Sequence, residues 1–170
     1  METIPEGLVE ETWQEVADFP AEHGDAEMKR FCENQPELVA FMLEFSQGLD
    51  HEVKELAIYM LFVIYRIFEK SAKHAIRQIS AEEIINCYDS NEKLVVSLEG
   101  AHERFLDRIA RVHLATQPHV MGYILETLME GSSEEEESEL NDDIGYLFLL
   151  LKTIVDVLDY STRGNLKTPH

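Results

Sequence analysis

Basic residues are scarce in this chain of 170 residues, where 14 lysines and arginines stand against 34 aspartates and glutamates. The formal net charge is therefore −20 at pH 7. A field of this sign repels phosphate backbones and anionic lipid, so we expect binding neither to nucleic acid nor to a membrane surface. It favours basic partners or metal cations, or it only keeps the surface well solvated.

Cysteine is also scarce, with only Cys32 and Cys87, which lie far apart and outside any CxxC motif. Free cysteines usually behave as small buried hydrophobes, so we expect no disulfide framework and favour a reducing compartment. Residues 1–6 are acidic and lack the apolar stretch of a signal peptide. We therefore predict a cytoplasmic protein.

Motifs that would indicate catalysis or nucleotide binding are missing. Neither GxxxxGK[ST] nor GxGxxG occurs, which excludes nucleotide binding by those loops. No Ser-His-Asp or Cys-His arrangement can be proposed from the spacing of the residues. We therefore predict no cofactor and no enzymatic activity.

The apolar stretch Leu56–Tyr65 has ten residues without a charge, and Arg66-Ile67-Phe68 continues it. This is too short to span a bilayer, which takes ~20 residues. A helix that is hydrophobic on every side is buried on every side. We therefore predict that this stretch is the central helix of the core, and that Phe62 and Leu149 are almost fully buried.

Signals for helix starts and stops recur along the chain, and no alternation typical of strands is present. Pro5, Pro36 and Pro118 each precede an apolar stripe at helical spacing. Ser80-Ala81-Glu82-Glu83 matches a capping box. The prediction is an all-α, single-domain helical bundle of about six to seven helices, spanning residues 1–160.

Five features of the chain's organisation are predicted from local signals. A turn is expected after Pro20, with Asp25 capping the next helix. A helix is expected from His51 to Ile79, with a break near Ser71 as the alternative. Asp89-Ser90-Asn91 is read as a turn between two helices. The glutamate-rich segment 131–143 is expected to be a mobile acidic loop, and residues 161–170 a flexible tail.

Two parts of the chain resemble each other. Residues 35–44 (QPELVAFMLE) align with residues 117–126 (QPHVMGYILE) at an offset of 82, with four of ten positions identical. The apolar helices that follow align at an offset of 87, which places Tyr59 against Tyr146 and Ile67 against Ile154. The pattern predicts a duplicated pair of helical hairpins, although helices that start at proline use few residue types and chance similarity is the alternative.

Half of the lysines and arginines form two stripes at helical spacing. They are Arg66, Lys70, Lys73 and Arg77, and Arg104, Arg108 and Arg111. One interpretation is a site for an anion or an acidic partner between two antiparallel helices. The alternative is that these residues form salt bridges with neighbours such as Glu69, Glu103 and Asp107, or with the acidic loop.

Glu99 and His102 form a single ExxH, which places a carboxylate and an imidazole on one helix face. A di-metal site in a bundle needs this motif twice, together with glutamates from two other helices. The pair is therefore only a weak candidate for a metal site, and a solvated helix face is the simpler interpretation.

Three functions remain after these exclusions. The first is a non-enzymatic protein-interaction or adaptor module, whose partner is another protein or a second copy of the chain. The alternative is a regulatory module that binds a small molecule or an anion through the basic stripes. A metal-dependent bundle enzyme ranks third.

Overall fold

The computed structural model of the protein describes residues 3–98, 117–130 and 139–164. These residues form seven helices and no strand, so the predicted all-α bundle is confirmed. The helices are α1 (Glu6–Ala17), α2 (Ala21–Asn34), α3 (Pro36–Phe45), α4 (His51–Ser71), α5 (Ala81–Leu98), α6 (Pro118–Glu130) and α7 (Glu139–Gly164). None of the helices within these ranges combines the length and low polarity needed to cross a membrane.

Helices α4 and α7 pack along each other at the centre of the bundle. Phe62 on α4 and Leu149 on α7 are 6% and 4% exposed, which confirms the predicted burial of both side chains. Tyr59 differs from the expectation of burial on every side, because it is 40% exposed. One face of α4 therefore reaches the surface near its middle.

The predicted helix starts at the prolines and at the capping box are confirmed. Helices α3 and α6 begin at Pro36 and Pro118. The Ser80 N–H donates to Glu83 Oε2 at 2.9 Å, and the Glu83 N–H donates to Ser80 Oγ at 3.2 Å. This reciprocal pair satisfies two backbone donors that a helix start otherwise leaves without partners.

The predicted helix from His51 to Ile79 is wrong, because α4 ends at Ser71 and the alternative break is the one present. Ala72 has an extended backbone, and no helix is present between it and Ala81. Gln35 Nε2 donates to the Arg77 carbonyl at 2.8 Å, and Gln35 Oε1 accepts from the Ile79 N–H at 3.0 Å. The buried side chain of the residue before α3 thus supplies hydrogen-bond partners to the backbone of this extended segment, which no local signal in the sequence indicates.

The turn predicted at residues 89–91 is also wrong, because α5 runs through it without interruption. Asn91 is 5% exposed, and its amide bonds to side chains of α7 rather than to its own backbone. The predicted turn after Pro20 is wrong as well. Helix α2 begins directly at Ala21, and the Gly24 N–H donates to the Pro20 carbonyl at 2.9 Å.

Helix α7 is longer than predicted at both ends. It begins at Glu139, inside the segment expected to be a loop, whereas residues 131–138 lie outside the described residues. It continues past Tyr160 because Ser161 and Thr162 are buried and their hydroxyls donate to the Leu158 carbonyl. The part of the predicted tail up to Gly164 is therefore helical.

The packing of the helices repeats along the chain. Helices α1 and α3 pack on α4, and α5 and α6 pack on α7. Two further contacts join the halves, since α1 packs on α6 and α3 packs on α5. This arrangement leaves one groove between α1 and α6 and another between α3 and α5.

Candidate functional site

The first basic stripe is divided by the end of α4. Arg66 and Lys70 lie on the helix, where Arg66 donates to Glu15 at 2.8 Å and to Glu27 at 3.1 Å. Lys70 also pairs with Glu15, and hydrogen bonds from Lys70 and Arg66 lower the pKa of the Glu15 carboxyl. Arg66 therefore joins α4 to both α1 and α2, and Lys70 joins α4 to α1.

The other two members of this stripe lie in the segment after α4. Arg77 Nη1 donates to Glu83 at 3.0 Å, and its guanidinium lowers the pKa of that carboxyl to about 2. Lys73 is exposed. Arg77 thus joins the segment before α5 to the first turn of that helix.

Three of the four bases in this stripe are in ion pairs, the arrangement that the sequence offered as the alternative to an anion site. The acidic partners of these bases are mostly not those expected. Glu69 lies 3.9 Å from Arg66 and instead accepts a hydrogen bond from Arg30 at 2.9 Å. The second stripe, Arg104, Arg108 and Arg111, lies outside the described residues. The anion site between the stripes stays a prediction.

The weak metal candidates Glu99 and His102 also lie outside the described residues. Within residues 3–98, 117–130 and 139–164, no group of three or more His, Cys, Asp or Glu side chains is placed to hold a metal ion.

A polar network joins α5 to α7. Asn91 Nδ2 donates to Thr153 Oγ1 at 3.2 Å and to Asp156 Oδ2 at 3.1 Å, while Asn91 Oδ1 accepts from Lys152 Nζ at 2.9 Å. The Cys87 thiol donates to the Thr153 carbonyl at 3.8 Å, and burial raises its pKa to about 11. A thiol held in its protonated form is a poor nucleophile, so we assign Cys87 a structural role.

A cleft of about 580 Å³ opens beside this network, lined by residues of α5 and α7 that include Asn86, Ser90, Asp156 and Tyr160. Its two acidic side chains are already paired, Asp156 with Lys152 and Glu83 with Arg77. The cleft therefore presents little uncompensated charge to a ligand.

The groove between α1 and α6 has a different character. Its volume is about 270 Å³, and its apolar surface comes from Val9, Trp13, Pro118 and Tyr123. Trp13 is 37% exposed although it belongs to the apolar stripe of α1, and Tyr123 is half-buried. Burial raises the pKa of Tyr123 to about 12, so its hydroxyl stays neutral at physiological pH.

Gly122 lies in this groove and leaves it open. A Cβ atom placed at Gly122 would meet no atom of its described surroundings within 4 Å. Position 122 therefore has room for a Cβ atom, and we expect a larger side chain there to extend into the groove that Gly122 lines.

Three glutamates stand around the groove: Glu6 and Glu10 on α1 and Glu126 on α6. All three are exposed, and among the described residues none of them forms an ion pair. Glu10 accepts one hydrogen bond, from Gln14 at 3.3 Å. Uncompensated acids thus surround an aromatic floor.

The sequence predicted none of this groove. Trp13 lies in the apolar stripe that follows Pro5, and no local signal marks it or Gly122 as part of a groove. Glu6 and Glu10 are one helical turn apart, a visible signal, but they meet Glu126 only because α1 packs on α6.

Comparison with protein-family models, with curated protein sequences and with solved structures gives no match for this chain.

Proposed function

We propose that the protein is a non-enzymatic interaction module that binds a basic, amphipathic segment of another protein in the groove between α1 and α6. The observation that carries the proposal is the combination of an exposed tryptophan with three glutamates that form no ion pair among the described residues. The leucine, isoleucine or aromatic side chains of such a segment would cover Trp13 and Tyr123, and its lysines or arginines would approach the glutamates.

Charge decides between this proposal and the anion-binding alternative. An anion at Arg66, Lys70 or Arg77 has to compete with a carboxylate that is already bound. A cationic segment at the groove meets glutamates that are exposed to solvent, and the net charge of −20 attracts it from a distance. The geometry therefore favours a basic partner over an acidic one.

The same charge disfavours a second copy of the chain as the occupant. Two chains with a net charge of −20 each repel each other unless the contact itself is strongly complementary. A separate basic protein has no such barrier. We propose that the two proteins meet in a reducing compartment such as the cytoplasm, since Cys32 and Cys87 are both free thiols.

The test uses a peptide of about 15 residues, a length at which a helix is marginal in water and is stabilised on binding. Leucines at helical spacing give it one apolar face, and lysines fill the other. Trp13 is the sole tryptophan, so its fluorescence reports directly on the groove. We expect a saturable change in emission that weakens as sodium chloride is added, because salt screens exposed charges beyond a Debye length of about 8 Å.

Gly122→Leu is the informative variant, because leucine fills the groove and has a higher helix propensity than glycine. Gly7→Leu is its matched control, since Gly7 is an exposed helical glycine that does not line the groove, and a Cβ there meets no described atom within 4 Å. We expect G122L to lose the fluorescence response and G7L to keep it. Two further peptides, one with glutamate in place of lysine and one with glutamine in place of leucine, should not bind.

Two results would overturn the proposal. One is an unchanged response in G122L, which would place the peptide elsewhere. The other is equal binding of the glutamate peptide, which would remove the role of charge. Self-association of the wild type that G122L abolishes would show that a second copy, not a basic protein, occupies the groove.

A further inference from the structure

We infer that the chain carries two quasi-equivalent binding grooves, because the groove between α3 and α5 is the structural counterpart of the groove between α1 and α6. The protein would then hold two copies of the same class of basic, amphipathic segment. This inference rests on the proposed function for the chemistry of its ligand. To that function it adds a second binding site and a stoichiometry of two segments per chain.

The correspondence begins with the order of the helices. Helix α3 aligns with α6 at an offset of 82, and α4 aligns with α7 at an offset of 87. If α1 is also aligned with α5, at an offset of 75, the buried pair Ile4 and Ile79 coincide, and so do the buried pair Val9 and Ile84. Each half then contains a first helix, a Pro-initiated helix and a central apolar helix, in that order, and the first half has α2 in addition.

Two buried glutamines make the same contact in each half. Gln35 precedes α3 and accepts from the N–H of Ile79, the residue two before the start of α5. Gln117 precedes α6 and accepts at 2.9 Å from the N–H of Ile4, the residue two before the start of α1. Each glutamine therefore reaches into the other half, which is the reciprocity expected of an approximate twofold axis.

The residues that line the two grooves correspond under these same offsets. Each groove has a buried aliphatic residue on the first helix, and on the Pro-initiated helix a small residue, an aromatic ring and an exposed glutamate. The corresponding pairs are Val9 and Ile84, Gly122 and Ala40, Tyr123 and Phe41, and Glu126 and Glu44. Two grooves that share these four positions are expected to bind similar segments, although Tyr88, the counterpart of Trp13, is buried and does not line the α3–α5 groove.

The grooves also differ, which predicts a difference in affinity. The α3–α5 groove is smaller, about 120 Å³, and it is lined by Phe45 and Ile85 at positions that correspond to Thr127 and Glu10 in the other half. It has two lining glutamates, Glu37 and Glu44, instead of three. Binding there should depend more on apolar contacts and less on salt.

The test counts the leucine–lysine peptides bound per chain by isothermal titration calorimetry, with Trp13 fluorescence recorded in parallel. Ala40→Leu fills the α3–α5 groove, because Ala40 is exposed and lines it. Ala26→Leu, at an exposed position on α2, is the matched control. We expect two peptides per wild-type or A26L chain, one for A40L, one for G122L and none for the double variant.

Binding to the two grooves can be distinguished by the Trp13 fluorescence and by the effect of salt on affinity. A40L should keep the full Trp13 response, and G122L should bind its one peptide without that response. Added sodium chloride should weaken the peptide bound to A40L more than the peptide bound to G122L. If leucine at position 40 lowers the helix content in circular dichroism, Glu44→Lys serves instead, since Glu44 is exposed on the same edge.

The outcomes distinguish this inference from the proposed function. One peptide per wild-type chain, with A40L indistinguishable from A26L, would overturn the second groove and leave the α1–α6 groove in place. No peptide bound to the wild type, or a Trp13 response that survives in G122L, would overturn both.

Discussion

The side-chain Oε1 atoms of Gln35 and Gln117 each accept a hydrogen bond from the backbone N–H of a buried isoleucine that lies two residues before a helix in the other half of the chain. Both glutamines are 4% exposed or less, and each directly precedes a proline that begins a helix. The internal similarity noticed in the sequence therefore has a counterpart in the hydrogen bonding. The duplication itself stays a prediction that these contacts support.

Gln35→Ala should lower the free energy of unfolding by about 1–3 kcal/mol. The buried Ile79 N–H loses its acceptor, and the Arg77 carbonyl loses the hydrogen bond that Gln35 donates to it. Gln47→Ala, at an exposed position, should change stability by less than about 0.5 kcal/mol. Urea unfolding of both variants measures the difference. Equal stability of the two would show that the glutamine contact contributes nothing to the fold.

Phe62→Ala should cost about 3–5 kcal/mol and Leu149→Ala about 2–5 kcal/mol, since both side chains are buried. Phe62 also stacks on Phe31, with ring centroids 6.2 Å apart. Leu43→Ala is the control, because Leu43 is 54% exposed. Thermal melting close to that of the wild type in F62A or L149A would contradict the central position of α4 and α7.

Asn91→Ala should destabilise the fold by about 1–3 kcal/mol, because Lys152 and Thr153 each lose a buried partner on α5. Asn86→Ala, one turn earlier on the same helix and exposed, should have little effect. Denaturant unfolding with both variants tests the network. A loss in N86A as large as that in N91A would mean that helix propensity, not the network, is being measured.

The ion pair between Arg77 and Glu83 predicts a stability that depends on pH. The folded-state pKa of Glu83 is lowered from 4.5 to about 2, first of all by its hydrogen bond with Arg77. The charged carboxylate therefore contributes to the free energy of unfolding above about pH 4.5, and this contribution is lost as the pH falls towards 2. Both side chains are partly exposed, so the size of this contribution is that of a surface pair, small and reduced by salt.

Glu83→Gln should accordingly be less stable than the wild type at pH 7, and this difference should shrink between pH 4.5 and pH 2. Unfolding curves recorded at steps across this range measure it. Glu82→Gln controls for the loss of one negative charge at the start of α5. A difference between E83Q and the wild type that stays constant down to pH 2 would contradict the assignment.

Local signals in the sequence were sufficient for most of the helices. Proline at the first position of α3 and α6, and the Ser80–Glu83 capping box, act within one turn of the chain, so their effect can be read without knowing the fold. The burial of Phe62 and Leu149 followed from the same kind of evidence, since uncharged stretches of this length have to be covered. Two of the boundaries that failed, the helix end predicted at Ile79 and the turn predicted at residues 89–91, lie where Gln35 and Asn91 bind distant partners.

The candidate site was decided by the tertiary structure alone. Glu6, Glu10 and Trp13 are separated from Gly122, Tyr123 and Glu126 by more than a hundred residues, and only the packing of α1 on α6 brings them together. The sequence determined which faces are apolar, how acidic the chain is and where most helices begin. The packing of the helices decides which apolar face stays partly open. It also decides which glutamates are left without an ion pair among the described residues, because burial and pairing depend on neighbours in space.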